Sequence, residues 1–474
     1  METPFARRLG APVVAVMLLA TAACILKKPP DAAEIQKEAL PAVTMPEKWT
    51  AAGAGAGTVA DNWLVGFRDE QLSAAVAEAL VSNADLRVAA ARVEQAVLFA
   101  RQAGARLYPW ADILARGGGK MSGDNSGLQG AAFTVSWELD LWGRVRYGRA
   151  AAAADAASAQ ADYEYARQSL AALVARSWFL ATEAGLQANV ARETLRQGDE
   201  LVRLAQDRVR IGVGNEEDVF VARAAQGSNR DVLRQIELSR EQAIRALEIL
   251  LGRYPAAAAA VNPQLPGQPD AVPAGLPSDL LERRPDIIAA ERRVAAAFNR
   301  IHEAKAARLP AIALTTGVNT VSSDLFVLQD RDNPVWNFGA NLLMPVFRGG
   351  ALKRQVEIRT AEQKQAVAAY AAVGLRAFGE VENALSAEIA ARERETILAE
   401  TVADNRRALG VVQNQFKVGS TDLRFVTQRQ LALSATQAAL VRMQSEQRVQ
   451  RVNLHLALGG SFETPGPAPA QPTR

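Results

Sequence analysis

The sequence is poor in the residues that build metal and catalytic sites. Its 474 residues include one cysteine and two histidines, His302 and His455. One cysteine excludes an internal disulfide framework, and two histidines this far apart exclude a Cys/His zinc motif. A Gly-rich phosphate loop and a Ser/His/Asp arrangement are missing too. We therefore expect no enzyme activity, no metal and no cofactor, and we interpret both histidines as structural.

An excess of one charge is also lacking, and aromatic residues are few. The chain has 54 basic and 51 acidic residues, interleaved along its length, and aromatics make up 6% of it. Proteins that bind nucleic acid usually carry a basic patch that includes aromatic residues. We therefore exclude nucleic acid as a partner.

Long apolar runs are confined to the N-terminus. Residues 1–23 combine two arginines, an apolar stretch and small residues, which is typical of a signal peptide. Cys24 follows directly, which resembles the signal of bacterial lipoproteins, although Thr21 departs from it; an ordinary signal peptide with an incidental cysteine is the alternative. We expect residues 24–68 to form a lipidated, extended segment. No later stretch offers the roughly 20 apolar residues of a transmembrane helix.

Proline is absent from two long stretches, residues 110–254 and 346–464. Proline breaks helices, so its absence permits long ones. Apolar residues at seven-residue spacing predict one very long helix over 144–211, and a second is expected at about 350–418. The prolines between the two stretches mark a linker at 253–277.

The sequence also repeats itself. Residues 84–109 align without gaps on residues 285–310, and the glycine turns after the two long helices correspond as well. A fixed internal offset of this kind is the signature of duplicated structural units. We predict a tandem duplication with repeat 1 at 69–252, repeat 2 at 278–458 and a Pro-rich tail at 459–474.

Each repeat contains a predicted β-hairpin, at about 111–140 and about 311–344. Apolar and polar residues alternate over 133–139 and 336–343, and weaker strand candidates precede both stretches. Strands of about ten residues with one apolar face suit a transmembrane β-barrel, whereas a soluble half-buried hairpin is the alternative. Four strands cannot close a barrel and lipid does not tolerate an open edge, so the barrel must be shared between subunits.

Tryptophans accompany these hairpins. An aromatic girdle is expected where a barrel meets the membrane surface. We assign the girdle to Trp110, Trp137, Trp142 and Trp336.

Five short motifs carry a resemblance to a known family. They are Asn83–Leu86 with Arg92, Trp137–Arg144, Leu281–Ile287, Pro345–Phe347 with Gly349 and Gly350, and Phe416–Gly419. With them, the chain resembles the TolC family of outer-membrane efflux channels over roughly residues 61–458. It is most similar to the lipoprotein branch of that family, the OprM and NodT types.

The resemblance implies a mainly α-helical fold with a transmembrane β part. Three tandem-repeat protomers would form a homotrimer in which one twelve-stranded β-barrel is joined to a long α-helical periplasmic barrel. The protein would be lipid-anchored in the outer membrane of a Gram-negative bacterium, in contact with its lipid, and would extend into the periplasm.

The resemblance also implies a function and partners. The protein would be the passive exit duct of a tripartite efflux pump for small molecules such as drugs and toxic compounds. Its partners would be a periplasmic adaptor, or membrane fusion protein, and an inner-membrane transporter, expected to be of the resistance-nodulation-division type.

A periplasmic gate is expected at the turns that end the long helices, at Gly212 and Gly419. Duplicated arms should end at the same height, so the two turns should lie together. The candidate gate residues that follow the glycines are Glu216, Glu217, Asp218, Asp422, Arg424 and Gln428. Acidic residues at a helix start also complement the helix dipole, and this alternative reading stays open.

Other functions stay open at this stage. An outlet of a type I protein secretion system would use the same fold. A metal-efflux outlet is disfavoured by a content of only six methionines. A periplasmic coiled-coil adaptor lipoprotein would have a single helical hairpin with soluble β-domains instead of two long arms.

Overall fold

Helices make up most of the chain. The computed structural model describes residues 26–51, 59, 61–116, 129–267, 272–275, 277–322 and 335–462. The helices are α1 (Ala32–Ala39), α2 (Glu70–Ser82), α3 (Ala84–Ala105), α4 (Arg144–Arg210), α5 (Glu216–Leu250), α6 (Leu280–Arg283), α7 (Pro285–Ala306), α8 (Ala351–Lys417) and α9 (Leu423–Ala457). Among the helices in these ranges, none is both long and apolar enough to cross a membrane.

Corresponding helices of the two repeats have equal lengths. Helices α3 and α7 have 22 residues each, α4 and α8 have 67 each, and α5 and α9 have 35 each. The two longest helices end within a residue of their predicted ends, because alanine-rich sequence without proline favours continued helix.

Four strands form one antiparallel sheet in chain order. They are β1 (Trp110–Arg116), β2 (Gln129–Leu139), β3 (Ala311–Ser322) and β4 (Val335–Leu343). Strand β2 pairs with β3, with Phe133 opposite Val318. The hairpins of the two repeats therefore join side by side into a single sheet.

The N-terminal segment is not extended throughout, which corrects the prediction for residues 24–68. Helix α1 lies within it and starts with a capping box. The Asp31 carboxylate accepts the Glu34 N–H at 2.8 Å, and the Glu34 carboxylate accepts the Asp31 N–H at 3.2 Å. These bonds satisfy N–H groups that a helix start leaves without intrahelical partners, so a short helix is stable here.

The chain forms two compact units. The sheet unit comprises the described parts of Met1–Val43, Ala91–Asp162 and Asp286–Val373, and the helical unit comprises those of Thr44–Ala90, Tyr163–Pro285 and Gly374–Arg474. Each unit takes segments from both repeats. The repeats are therefore units of sequence and not of packing.

Helices α5 and α9 in the helical unit are each followed by a left-handed glycine, which is exposed at Gly252 and buried at Gly459. Gly252 has a φ of +71° and Gly459 a φ of +67°, which only glycine adopts at low cost. A Cβ atom added to Gly252 would lie 2.8 Å from the carbonyl oxygen of Ser82. The close approach of backbone to backbone therefore requires glycine as much as the dihedral angle does.

Equivalent side chains bind the last carbonyls of these two helices. Asn83 donates from Nδ2 to the Leu250 carbonyl at 3.0 Å, and Arg284 donates from Nη1 to the Ala457 carbonyl at 3.1 Å. Arg284 is 1% exposed and also donates to the Glu380 carboxylate at 2.7 Å. Two of the motifs that carried the family resemblance thus hold the C-terminal ends of the medium helices.

His455, in the last turn of α9, is buried as its structural interpretation requires. Its ring stacks on Trp63 with centroids 5.7 Å apart. Burial, with the nearby positive charge of Arg451, lowers the pKa of the His455 ring to about 3. The imidazole is therefore neutral in the folded protein at neutral pH.

Candidate functional site

Two tight turns join the long helices to the medium ones. In each turn a left-handed glycine ends the long helix, with φ of +80° at Gly212 and +79° at Gly419. The Gly212 N–H donates to the Val209 carbonyl at 3.0 Å, and the Gly419 N–H donates to the Phe416 carbonyl at 3.1 Å. Glycine adopts this conformation without the strain that a Cβ atom brings.

Side-chain caps start the helices that follow. The Asn215 side chain accepts the Glu217 N–H at 3.1 Å, and the Asp422 carboxylate accepts the Arg424 N–H at 2.9 Å. Asn and Asp are favoured caps because their oxygens reach these otherwise unbonded donors. The duplicated sequence therefore builds the same helix–turn–helix twice.

The two turns lie together, as predicted. The Arg424 guanidinium forms an ion pair with Glu217 and approaches the Asp422 carboxylate to 3.8 Å. The side chains of the Arg424–Glu217 pair are 63% and 57% exposed. An ion pair this exposed contributes only about 0 to 1 kcal/mol, so the charges hold the turns together weakly.

Arg208, one helical turn before Gly212, makes the more directional connection. It donates from Nη1 to the Phe416 carbonyl at 2.9 Å and from Nη2 to the Val213 carbonyl at 3.3 Å. Its guanidinium carbon lies 4.9 Å from the Phe416 ring centroid. Sequence reasoning missed Arg208, and its spacing from the turn glycine is the signal that could have found it.

Asp218 is half-buried beside these charges. Burial raises the pKa of its carboxyl, and the negative charge of Asp422 raises that pKa further. The positive charges of Arg208 and Arg424 oppose the rise. We call Arg208, Glu217, Asp218, Asp422 and Arg424 the turn cluster.

Two predicted gate residues take no part in the turn cluster. Glu216 and Gln428 are exposed, and neither side chain forms a hydrogen bond or ion pair with any residue that the structure describes. Glu216 lies in the first turn of α5, where the helix dipole favours an acid. The dipole reading of the acidic run therefore accounts for Glu216.

The strand register puts most of the large apolar side chains of the sheet on one face, although Leu114 and Val335 lie on the other. Residues directly opposite each other in antiparallel strands share a face. One row of that face is Ile113, Phe133, Val318 and Trp336, and the next is Ala111, Val135, Thr316 and Phe338. The opposite face carries the row Asp112, Thr134, Gly317 and Asn337. Phe338 is 82% exposed in the single chain, so this apolar face is left for something outside the protomer to cover.

The four predicted girdle tryptophans do not share that face. Trp137 and Trp336 lie on it, whereas Trp110 is opposite Ser136 and so belongs to the polar face. Trp142 lies in the turn after β2. The register therefore separates Trp110 from the predicted girdle.

Cys24, the predicted lipidation site, lies outside the described residues. The first described residues after it are held against the start of α4. Leu26 packs so closely on Gly143 that a Cβ atom there would lie 2.9 Å from its Cδ2, and the Lys27 N–H donates to the Tyr147 hydroxyl at 2.9 Å. The described chain therefore begins beside the end of β2.

Metal ligands are not grouped in the part of the chain that the structure covers. Over those residues, no cluster of three or more His, Cys, Asp or Glu side chains could hold a metal ion. The site therefore consists of charges on helix ends and a two-faced sheet.

The chain is similar to known proteins along most of its length. The sequence model of the family described as outer membrane efflux protein matches residues 75–253 and 276–460. The cation efflux system protein CusC of Escherichia coli O6:H1 is 30% identical over 437 residues, which cover 89% of this chain and 94% of CusC. The probable efflux pump outer membrane protein TtgC of Pseudomonas putida strain KT2440 is 30% identical over 425 residues, covering 86% of this chain and 87% of TtgC. The solved structure of the outer-membrane channel OprN matches with a TM-score of 0.81 and 25% identity, covering 92% of this chain and 99% of OprN.

Proposed function

The chain belongs to the outer membrane efflux protein family and is the outer-membrane channel of a tripartite efflux pump, and from that premise we propose that it is a passive duct closed at rest by the turn cluster. The observation that carries the proposal is the meeting of the two turns through Arg424 and Glu217. In a homotrimer, threefold symmetry would bring three copies of this cluster around one axis. Charges crowded on an axis form a constriction that selects by size and charge.

The charged contact that would close the channel is weak. The Arg424–Glu217 pair is exposed, so a contact from a partner protein could replace it at little cost. We assign that contact to a periplasmic adaptor. The energy for transport would come from an inner-membrane transporter of the resistance-nodulation-division type, as the family resemblance implies.

The sheet supplies the membrane part of the proposal. An apolar face on strands of seven to twelve residues fits the strand lengths of transmembrane barrels. Three protomers would together contribute twelve strands and leave no open edge in lipid.

Lipid anchoring through Cys24 is part of the same proposal. The contacts of Leu26 with Gly143 and of Lys27 with Tyr147 support it, because they hold the first described residues after Cys24 beside the end of β2. Two or more acyl chains make membrane attachment stable. Metabolic palmitate labelling should be strong in the wild type and lost in Cys24→Ser; equal labelling of both would rule the anchor out.

The facing of the sheet gives the sharpest test of the channel itself. Val135→Arg puts a charge on the apolar face and should cost about 2 to 4 kcal/mol near the bilayer midplane. Thr134→Arg puts the same charge on the polar face and should be much milder. Trimer yield and single-channel conductance in planar bilayers measure both. If Val135→Arg assembled and conducted as well as Thr134→Arg, the membrane face would be assigned wrongly.

A further inference from the structure

At one end of its four strands, the sheet is connected to the helices. Strands β1 and β3 begin there, after α3 and α7, and β2 and β4 end there, before α4 and α8. We call it the helix-side edge.

Three arginines at the helix-side edge form no ion pair with any described residue. Arg106 and Arg308 precede β1 and β3, and Arg348 follows β4. All three are exposed, and none forms an ion pair with a described carboxylate. Lys27 and Lys28 are exposed as well. They lie close to the end of β2, because the preceding residue Leu26 contacts Gly143. We call these five residues the cationic collar.

Two acids of the same edge, Glu138 and Asp140, are already neutralised. Glu138 pairs with Arg144 at 2.5 Å, and Asp140 pairs with Arg146 at 3.1 Å. The collar's positive charge is therefore not balanced by these neighbouring carboxylates.

Exposed apolar side chains alternate with the collar. Tyr108 is 72% exposed, Leu309 43% and Phe347 87%. Each lies within two residues of a collar arginine. Aromatic and apolar side chains beside basic ones are the pattern of a membrane–water interface, where rings enter the headgroup region and cations meet phosphate.

Two indole groups hold this edge in place. Trp137 donates from Nε1 to the Leu107 carbonyl at 2.9 Å, and Trp142 donates from Nε1 to the Pro310 carbonyl at 2.7 Å. Leu107 and Pro310 lie within two residues of Arg106 and Arg308. The segments that carry these arginines are therefore fixed to the sheet.

We propose that the cationic collar binds the phosphate headgroups of anionic phospholipids in the periplasmic leaflet of the outer membrane. The proposal rests on the proposed function, since it requires the apolar face of the sheet to lie in that membrane with its helix-side edge toward the periplasm. Guanidinium groups match phosphate oxygens with paired, charge-assisted hydrogen bonds, which favours phosphate over a neutral headgroup surface.

The test is lipid preference at the tryptophans of the reconstituted full-length trimer. Quenching of tryptophan emission by brominated phosphatidylglycerol, against brominated phosphatidylcholine, gives the relative binding constant of the anionic lipid. We expect the wild type to prefer phosphatidylglycerol at least about five-fold, with the preference falling as salt is raised. In the triple variant Arg106→Gln/Arg308→Gln/Arg348→Gln, the binding constant of phosphatidylglycerol relative to phosphatidylcholine should fall to about one.

A matched control removes the same charge elsewhere. Arg203, Arg230 and Arg406 are exposed, without ion pairs among the described residues, and lie on α4, α5 and α8. Their triple Gln variant should keep the wild-type preference. Equal preference in both triple variants would overturn the collar, and so would equal binding of the two lipids by the wild type. A stronger preference for lipid A, or full competition by inorganic phosphate at matched ionic strength, would also overturn it.

Conductance in the same bilayers distinguishes a failure of the collar proposal from a failure of the proposed function. The collar variant should conduct like the wild type, because none of its substitutions belongs to the turn cluster. An inserted trimer that does not conduct even with Arg424→Glu would contradict the proposed function and leave the lipid measurement valid.

Discussion

The two ends of helices α5 and α9 are held in opposite ways. At their N-terminal ends, the turn cluster is joined by an ion pair whose side chains are more than half exposed. At their C-terminal ends, Gly252 and Gly459 are packed against backbone or side-chain atoms, and Asn83 and Arg284 bind the last carbonyls. The ion pair between the turns can therefore break for about 1 kcal/mol, whereas movement at the C-terminal ends breaks packing and hydrogen bonds together.

Alanine at the two left-handed glycines that flank α5 should show the largest difference. Gly252→Ala adds a Cβ atom 2.8 Å from the Ser82 carbonyl oxygen, while a Cβ atom on Gly212 would meet nothing within 4 Å. Both lose about 1 to 2 kcal/mol from the left-handed backbone, but Gly252→Ala should lose about 1 to 3 kcal/mol more through overpacking. Denaturant titration of the purified trimer measures the loss. Equal losses of stability would mean that the chain around Gly252 accommodates a Cβ atom as readily as the chain around Gly212 does.

Acid should weaken the buried end selectively. The His455 pKa is about 3 in the folded chain against an ordinary value of 6.5, so below pH 6.5 the unfolded chain binds a proton that the folded chain does not. Stability should therefore fall as pH drops from 6.5 toward 3, by about 2 kcal/mol at pH 5. His455→Leu should flatten that slope in thermal unfolding measured against pH, and an unchanged slope would contradict the assignment.

The turn cluster should respond to acid with the opposite sign. The pKa of Asp218 is raised in the folded chain, so the folded state takes up this proton first and is stabilised relative to the unfolded state as pH falls. Because Asp218 is only half-buried, its contribution is expected to be small beside that of His455.

Charge reversal at the turn should have the smallest effect on stability and a visible effect on the channel. Arg424→Glu replaces attraction to Glu217 by repulsion and should cost no more than about 1 kcal/mol. Planar-bilayer recordings should nevertheless show higher resting conductance and a changed cation preference. Arg406→Glu, an exposed arginine on α8, supplies the same charge change as a control. Wild-type conductance and selectivity in Arg424→Glu would remove the turn cluster from the closure.

Features with a local period were predictable from sequence. The long helices follow from apolar spacing without proline, and β2 follows from strict alternation of apolar and polar residues. The resemblance to the TolC family, confirmed by the family match, rests on short motifs of the same local kind.

Features that depend on distant partners were not predictable. Strand β1 has Ile113 and Leu114 side by side, so its pattern does not say which face Trp110 takes; pairing with β2 decides it. Arg208 and Arg284 bind carbonyls more than 170 residues away. No spacing within one segment encodes such contacts.

The two halves of a duplicated gene are interchangeable at first. The side chains that bind the C-terminal ends of α5 and α9 show a place where the two repeats are no longer interchangeable. Asn83 and Arg284 occupy equivalent positions, but Arg284 also depends on Glu380, whose counterpart in repeat 1 is Leu173. An arginine at position 83 would lack a counterpart of the Glu380 carboxylate, because the equivalent residue of repeat 1 is Leu173. Moving this arginine from one repeat to the other would therefore require moving its acidic partner as well.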